Sequence, residues 1–159
     1  PPVAADTEFA DMRGAYEALT PEMKTRLEGL KVHHSISHSR KTLGFQFHED
    51  EEGRLKGAVH PLVRTLPGSQ RKSLYLASHA TQILDWPVAD GRLLLLELIE
   101  HATQREFVYR HSWRVGDFVI WDNRATMHRA REYDLSRPRD MHRTTVSDEV
   151  STLEQAQVA

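Results

Sequence analysis

The sequence predicts a single α+β domain built on an antiparallel β-sandwich or jelly-roll core. Three observations predict it. Helical periodicity is confined to the early part of the chain and one later segment. Short apolar segments broken by turn residues crowd the C-terminal end. The length, 159 residues, suffices for one real core and not for two ordinary ones.

The elements follow in order. Residues 1–7 form an extended lead-in. Asp6 or Thr7 is placed to cap a helix over about 8–19, since either side chain can accept from the free amides of a first turn. Phe9, Met12, Tyr16 and Leu19 give that helix one apolar stripe. Thr20-Pro21 starts a second helix, lined by Met23, Leu27 and Leu30 and ending near Gly29. Residues 31–37 have strand character, and 38–59 are polar, glycine-punctuated and irregular, with the acidic run His48-Glu49-Asp50-Glu51-Glu52 as a solvated loop. Residues 60–65 and 71–78 read as strands joined at Pro67-Gly68-Ser69. A helix runs from Asp90 to about Thr103, and its Leu93-Leu94-Leu95-Leu96 predicts cover on more than one side. Phe107 to Trp113 alternates weakly, Val115-Gly116-Asp117 is a turn, and Phe118-Val119-Ile120-Trp121 is a buried strand. Strands over 125–129 and 140–147 complete the β end, and the tail from Ser147 is polar.

Composition bounds the chemistry. Hydrophobic residues at 39% and charged residues at 28% suit a globular chain and not a disordered one. A net charge of −2 argues against nucleic acid as the main partner. With no cysteine, thiolate zinc sites, iron–sulfur clusters and cysteine nucleophiles are excluded. No apolar run approaches the ~18 residues of a membrane span, and no signal-peptide pattern is visible, so a cytoplasmic protein without a membrane partner is expected. Ten histidines leave His and carboxylates as the only material for a metal site.

The richest stretch is Trp121-Asp122-Asn123-Arg124-Ala125-Thr126-Met127-His128-Arg129, with Arg139 and Arg143 beyond it. On an extended strand Arg139, Met141 and Arg143 share a face, the two arginines about 13 Å apart at ~3.3 Å per residue. If that face also looks at His128, one cavity holds a metal-ligating nitrogen and two guanidinium receptors for carboxylates. That suits two acidic small molecules or one long diacid.

These residues carry a resemblance. Val115-Gly116-Asp117-Phe118-Val119-Ile120-Trp121-Asp122-Asn123-Arg124, then Met127-His128-Arg129, then Arg139 and Arg143, resemble the C-terminal signature of the taurine / 2,4-dichlorophenoxyacetate dioxygenase family. Pro1-Pro2-Val3 with Asp6-Thr7-Glu8-Phe9-Ala10-Asp11-Met12 is similar to the segment after that family's first metal motif. Glu100-His101-Ala102-Thr103-Gln104-Arg105-Glu106-Phe107-Val108-Tyr109-Arg110-His111 resembles its aryloxyalkanoate branch.

The resemblance implies an Fe(II)- and 2-oxoglutarate-dependent dioxygenase with a double-stranded β-helix (jelly-roll) core and flanking helices. It implies His128 as the distal histidine of a two-His, one-carboxylate iron site, which leaves positions open for a chelating oxoacid and O₂. Arg139 would grip the far carboxylate of 2-oxoglutarate, with a hydroxyl bond from Thr7. Arg143 would orient the carboxylate of an acidic small-molecule substrate. Trp121 would pack under the site or touch the co-substrate, and Asp122 and Asn123 would fix the turn. Arg137, beside Pro138, is a rival to Arg139 with a loop role. The implied reaction hydroxylates the carbon between carboxylate and ether oxygen. The product collapses to a phenol and an oxoacid, while 2-oxoglutarate becomes succinate and CO₂.

The sequence departs from the family in two places. The first metal motif, His-x-Asp, is expected a strand or two before Pro1. The literal His48-Glu49-Asp50 falls on the wrong side of the Thr7 segment and in a flexible acidic setting. The chain is therefore expected to be the C-terminal portion of a jelly-roll dioxygenase lacking its N-terminal strands, and inactive alone. Two glycines of the family are replaced by Ala4-Ala5, a strain if the turn needs positive φ. Taurine-like sulfonates or alkyl sulfates are the alternative substrates, and a jelly-roll module that binds an acidic ligand without catalysis is the alternative function. A hydrolase using His111 or His128 lacks a Gly-x-Ser-x-Gly nucleophile elbow. The composition is compatible with a homo-oligomer.

Overall fold

The computed structural model describes residues 5–42, 44 and 57–147. The chain runs β1 (Thr7–Asp11), α1 (Met12–Glu17), α2 (Pro21–Leu27), β2 (Lys31–His34), α3 (Ile36–Thr42), β3 (Ala58–Pro61), β4 (Val63–Thr65), β5 (Lys72–Leu74), β6 (Ala80–Ile83), α4 (Val88–Ala102), a single 3-10 turn at Arg105–Phe107, β7 (Val108–His111) and β8 (Thr126–Ala130). The described strands form three antiparallel groups, ordered β7-β1-β8, β3-β2-β6 and β4-β5. This mixture of helices and sheets agrees with the expected α+β class.

Local chemistry explains the elements that form where the sequence places them. Thr20 caps α2 by accepting from the Met23 amide at 3.2 Å, and Pro21 occupies the first helical position, where no amide is needed. The β4–β5 hairpin turns at Pro67-Gly68-Ser69, closed by Leu66 N–H to the Arg71 carbonyl at 2.9 Å. Helix α4 begins at Val88, two residues before Asp90, and lays Leu94, Leu95 and Leu98 into the core. That core also gathers Met12 and Ala15 of α1, Leu27, Val32, Leu62, Leu74 and Ile83.

Several expectations are corrected. Residues 7–11 are a strand, not the start of a helix, and the cap moves to Asp11, whose carboxylate accepts from the Arg13 amide at 3.1 Å. Pairing with β7 and β8 on both edges outweighs the helical spacing of Phe9 and Met12. The strand expected over 60–65 is broken at buried Leu62 into β3 and β4, and the one over 71–78 keeps only Lys72–Leu74. Phe118–Trp121 joins no ladder, leaving Phe118 85% and Ile120 82% exposed. An apolar run states a preference for burial, and no strand among the described residues supplies the partner surface. Residues 140–147 likewise form no strand, so the shared face of Arg139 and Arg143 is not a strand face. On α4, Leu93 and Leu96 are exposed, so among the described residues the helix is covered on one side only. Ala5 is buried and is not among the residues of positive φ, so the strain is absent at Ala5, while Ala4 lies outside the described residues.

Four rings cluster beside the second sheet. His34 of β2 lies 5.1 Å from His60, 5.3 Å from His79 and 5.4 Å from Tyr75, ring centre to ring centre. His34 is buried, and both its ring nitrogens lack a hydrogen-bond partner. Burial pushes its pKa from 6.5 down to about 3, and burial also lowers His60 and His79. The unfolded chain therefore takes up protons near pH 6.5 that the native cluster refuses. Stability is full above that pH and declines as pH falls toward 3. Urea midpoints should drop between pH 7.5 and 5.5, and His34→Phe should flatten part of that slope. In the same assay Leu98→Ala, in the core, should cost about 2–5 kcal/mol. Leu93→Ala, on the exposed side of the same helix, should stay within about 0.5 kcal/mol.

Candidate active site

Strand β1 positions the site. Side chains alternate along a strand, and residues directly opposite on antiparallel neighbours share a face. Thr7 lies opposite His111 and Ala130, Phe9 opposite Tyr109 and His128, and Asp11 opposite Thr126. The other face carries Ala10, Val108 and Met127 into the core. The site face is therefore the one turned away from that core.

On it three rings meet. Trp121 lies 5.1 Å from His128 and 5.4 Å from Phe9, and Phe9 lies 6.2 Å from His128. Partial desolvation in this group lowers the His128 pKa, and the positive charge of Arg143 lowers it further. The imidazole is thus held neutral, the form that can donate a lone pair to a metal.

The turn before β8 fixes Trp121. Asp122 Oδ1 accepts from the Arg124 amide at 2.8 Å, and the Arg124 guanidinium reaches Asp122 Oδ2 at 2.9 Å, holding that carboxyl below its usual range. The indole N–H of Trp121 donates to Asn123 Oδ1 at 2.8 Å. The Met12 amide donates to the Ala125 carbonyl at 3.0 Å, tying the turn to α1. The turn role expected for Asp122 and Asn123 is what these bonds describe. Beside the rings lies a cleft of about 340 Å³, lined by Phe9, Arg13, Tyr109, Ile120, Trp121 and Thr126 among others.

Thr7 is buried, and its hydroxyl oxygen accepts from the indole N–H of Trp113 at 2.9 Å. The Trp113 ring stands edge-on to His111, centres 4.5 Å apart, and His111 Nε2 is hydrogen-bonded to Asp117 Oδ2 at 3.1 Å. Sequence reasoning missed this group. The period-two spacing of His111 and Trp113 is the signal that could have found it.

The arginines differ. Arg139 stacks on Tyr133 at 5.3 Å, and its Nε is buried without a hydrogen-bond partner. Arg143 is exposed, and its charge is felt at His128. Among the described residues no group of three His, Asp or Glu side chains is arranged to hold a metal ion. His48, Glu49 and Asp50 lie outside the described residues.

Comparison with known proteins gives the family. The family model for "Taurine catabolism dioxygenase TauD, TfdA family" matches residues 1–145. The chain belongs to the TauD, TfdA family. Within it, the chain is 50% identical over 150 residues to the alpha-ketoglutarate-dependent 2,4-dichlorophenoxyacetate dioxygenase of Cupriavidus pinatubonensis, covering 94% of this chain and 52% of that protein. It is 49% identical over 146 residues to the enzyme of the same name from Burkholderia sp. strain RASC, covering 91% of this chain and 49% of that one. The chain thus spans about half the length of these TauD, TfdA relatives. The crystal structure of AAD-2 in complex with Mn(II) and N-oxalylglycine superposes with a TM-score of 0.90 at 53% identity, over 95% of this chain and 60% of that one.

The imidazole of His128 should titrate below pH 6.5 in the metal-free protein, followed by NMR. Arg143→Gln should raise that midpoint by removing the positive charge, while leaving it below the ordinary value because desolvation remains.

Proposed function

We propose that the protein works as an Fe(II)- and 2-oxoglutarate-dependent dioxygenase on an aryloxyalkanoate such as 2,4-dichlorophenoxyacetate. The β1 register carries this reading, because it brings the Thr7 hydroxyl, the His128 imidazole and an aromatic cleft to one sheet face. The names of the relatives supply the substrate class. We place the β7-β1-β8 sheet in a jelly-roll core like that of the family.

The residues fit the co-substrate. The buried, unpartnered Nε of Arg139 is a donor in want of an acceptor, which a carboxylate would supply. Thr7 has a hydroxyl proton to give. For the metal, His128 is one donor of the three expected. When bound, the iron and 2-oxoglutarate supply the oxidising chemistry, with O₂ as oxidant and succinate and CO₂ as by-products.

The chain's own part is positioning. Arg139 and Thr7 hold the co-substrate's far carboxylate. Arg143 holds the substrate carboxylate at the His128 end, and the cleft walled by Phe9, Tyr109 and Trp121 takes the aryl ring. The carbon between carboxylate and ether oxygen is then the one presented for hydroxylation, and the resulting hemiacetal breaks to a phenol and an oxoacid. A guanidinium receives a sulfonate or sulfate as readily as a carboxylate, and the aromatic walls are what favour an aryl substrate over taurine.

The test uses the full-length protein. Anaerobic Fe(II) with 2-oxoglutarate should give the visible charge-transfer band of the chelate. With O₂ and 2,4-dichlorophenoxyacetate, phenol and succinate should appear in equal amounts. Arg139→Ala should raise the KM for 2-oxoglutarate by about 10- to 100-fold, the range for losing a charge-assisted hydrogen bond. Binding of carboxylates without metal, and no succinate, would establish a non-catalytic module instead.

A further inference from the structure

We propose that Trp113 is a positioning residue for the co-substrate: its indole N–H, fixed against His111, occupies one acceptor site of the Thr7 hydroxyl and so aims the Thr7 proton outward as a donor. This rests on the dioxygenase reading of the site.

The argument is one of hydrogen-bond inventory. A threonine hydroxyl has one proton and two lone pairs, and an indole has a proton and no acceptor. At 2.9 Å the Trp113 N–H engages a Thr7 lone pair. Two donors cannot face one another along that line, so the Thr7 proton is turned away from Trp113. A buried hydroxyl without this contact could rotate and satisfy itself elsewhere. With it, the hydroxyl is committed as a donor, which a carboxylate, having only acceptors, requires.

The indole is itself held. His111 sits in register opposite Thr7, meets the Trp113 ring edge-on at 86°, and is hydrogen-bonded to Asp117. Asp117 in turn accepts from the Arg114 amide at 2.8 Å across the turn at Gly116, whose φ of 89° suits glycine. The order Asp117, His111, Trp113, Thr7 therefore runs from a hydrogen-bonded turn to the Thr7 hydroxyl. A tryptophan serving only as packing would have no need of its nitrogen at that oxygen.

The experiment is a double-mutant cycle in the full-length protein, reading 2-oxoglutarate affinity by anaerobic titration with Fe(II). Trp113→Phe keeps an aromatic ring and loses the N–H. It should weaken 2-oxoglutarate roughly 2- to 12-fold, the range for one hydrogen bond, with kcat at saturating co-substrate unchanged. Thr7→Val should weaken it as well, and Trp113→Phe should add nothing in the Thr7→Val background. Additive losses, or no loss in Trp113→Phe, would overturn the proposal. Should Trp113→Phe not fold, the wild-type indole proton serves instead, with Zn(II) in place of iron. Its NMR resonance should be slow to exchange, shift when 2-oxoglutarate binds, and lose both properties in Thr7→Val; an indole proton indifferent to Thr7 would overturn the proposal. A wild type that binds no 2-oxoglutarate would overturn the dioxygenase reading along with it, whereas binding with additive losses removes only the role of Trp113.

Discussion

The two-sided pairing of β1 is the constraint on which the site depends. Its five residues meet β7 on one edge and β8 on the other, so Thr7, His111 and Ala130 align at one level and Phe9, Tyr109 and His128 at the next. A slip of one residue would reverse the faces, sending Thr7 and Phe9 into the core and Glu8 to the site. The core-side face resists that slip. Ala10, Val108 and Met127 belong to the core, and Glu8 is paired with Arg129 at 2.7 Å on the solvated part of the same face. The register is thereby specified by apolar burial at one end and by charge at the other.

Parts of this were legible in the sequence, and the division follows the range of the interactions. The Thr20-Pro21 start of α2, the Pro67-Gly68-Ser69 turn and the body of α4 are set by neighbours a few residues away. Strand β1 was misread because Phe9, Met12, Tyr16 and Leu19 also fit a helix, and the partners that decide the matter lie about a hundred residues downstream. Phe118–Trp121 failed in the opposite sense: its composition suits a strand, yet no described strand pairs with it. Around β1, His128 and Trp121 meet ring to ring at 5.1 Å, and Thr7 shares a face with Phe9, an arrangement that rests on pairings distant in the chain. The bond between Trp113 and Thr7 joins residues 106 apart and has no local trace in the chain.

The histidines show why residue type alone says little. His34 is sealed among three rings, with neither nitrogen engaged and its protonated form strongly disfavoured. His101 Nε2 is hydrogen-bonded to the Ala15 carbonyl at 2.8 Å, fastening α4 to α1. His111 is tied to a carboxylate and braces an indole. Among the described histidines, only His128 combines a lowered pKa with a place on the face that also carries Thr7 and the cleft. The same side chain is core filler, fastener, brace or candidate ligand according to what its strand or helix sets beside it.

The pairing of Phe9 with His128 has a consequence for how the molecule comes into being. The β4–β5 hairpin and the helices close short loops, whereas β1 must wait for segments near the other end of the chain, and closing so long a loop is entropically costly and slow. During synthesis β1 emerges well before residues 108–130, and the edges that those residues cover stay unpaired until they have followed. The site is thus among the last features to exist. Until β8 docks, the ribosome-bound chain carries an open β edge that any neighbouring strand could occupy, so the geometry that aligns Thr7 with His128 also sets the interval in which this protein is most exposed to mispairing.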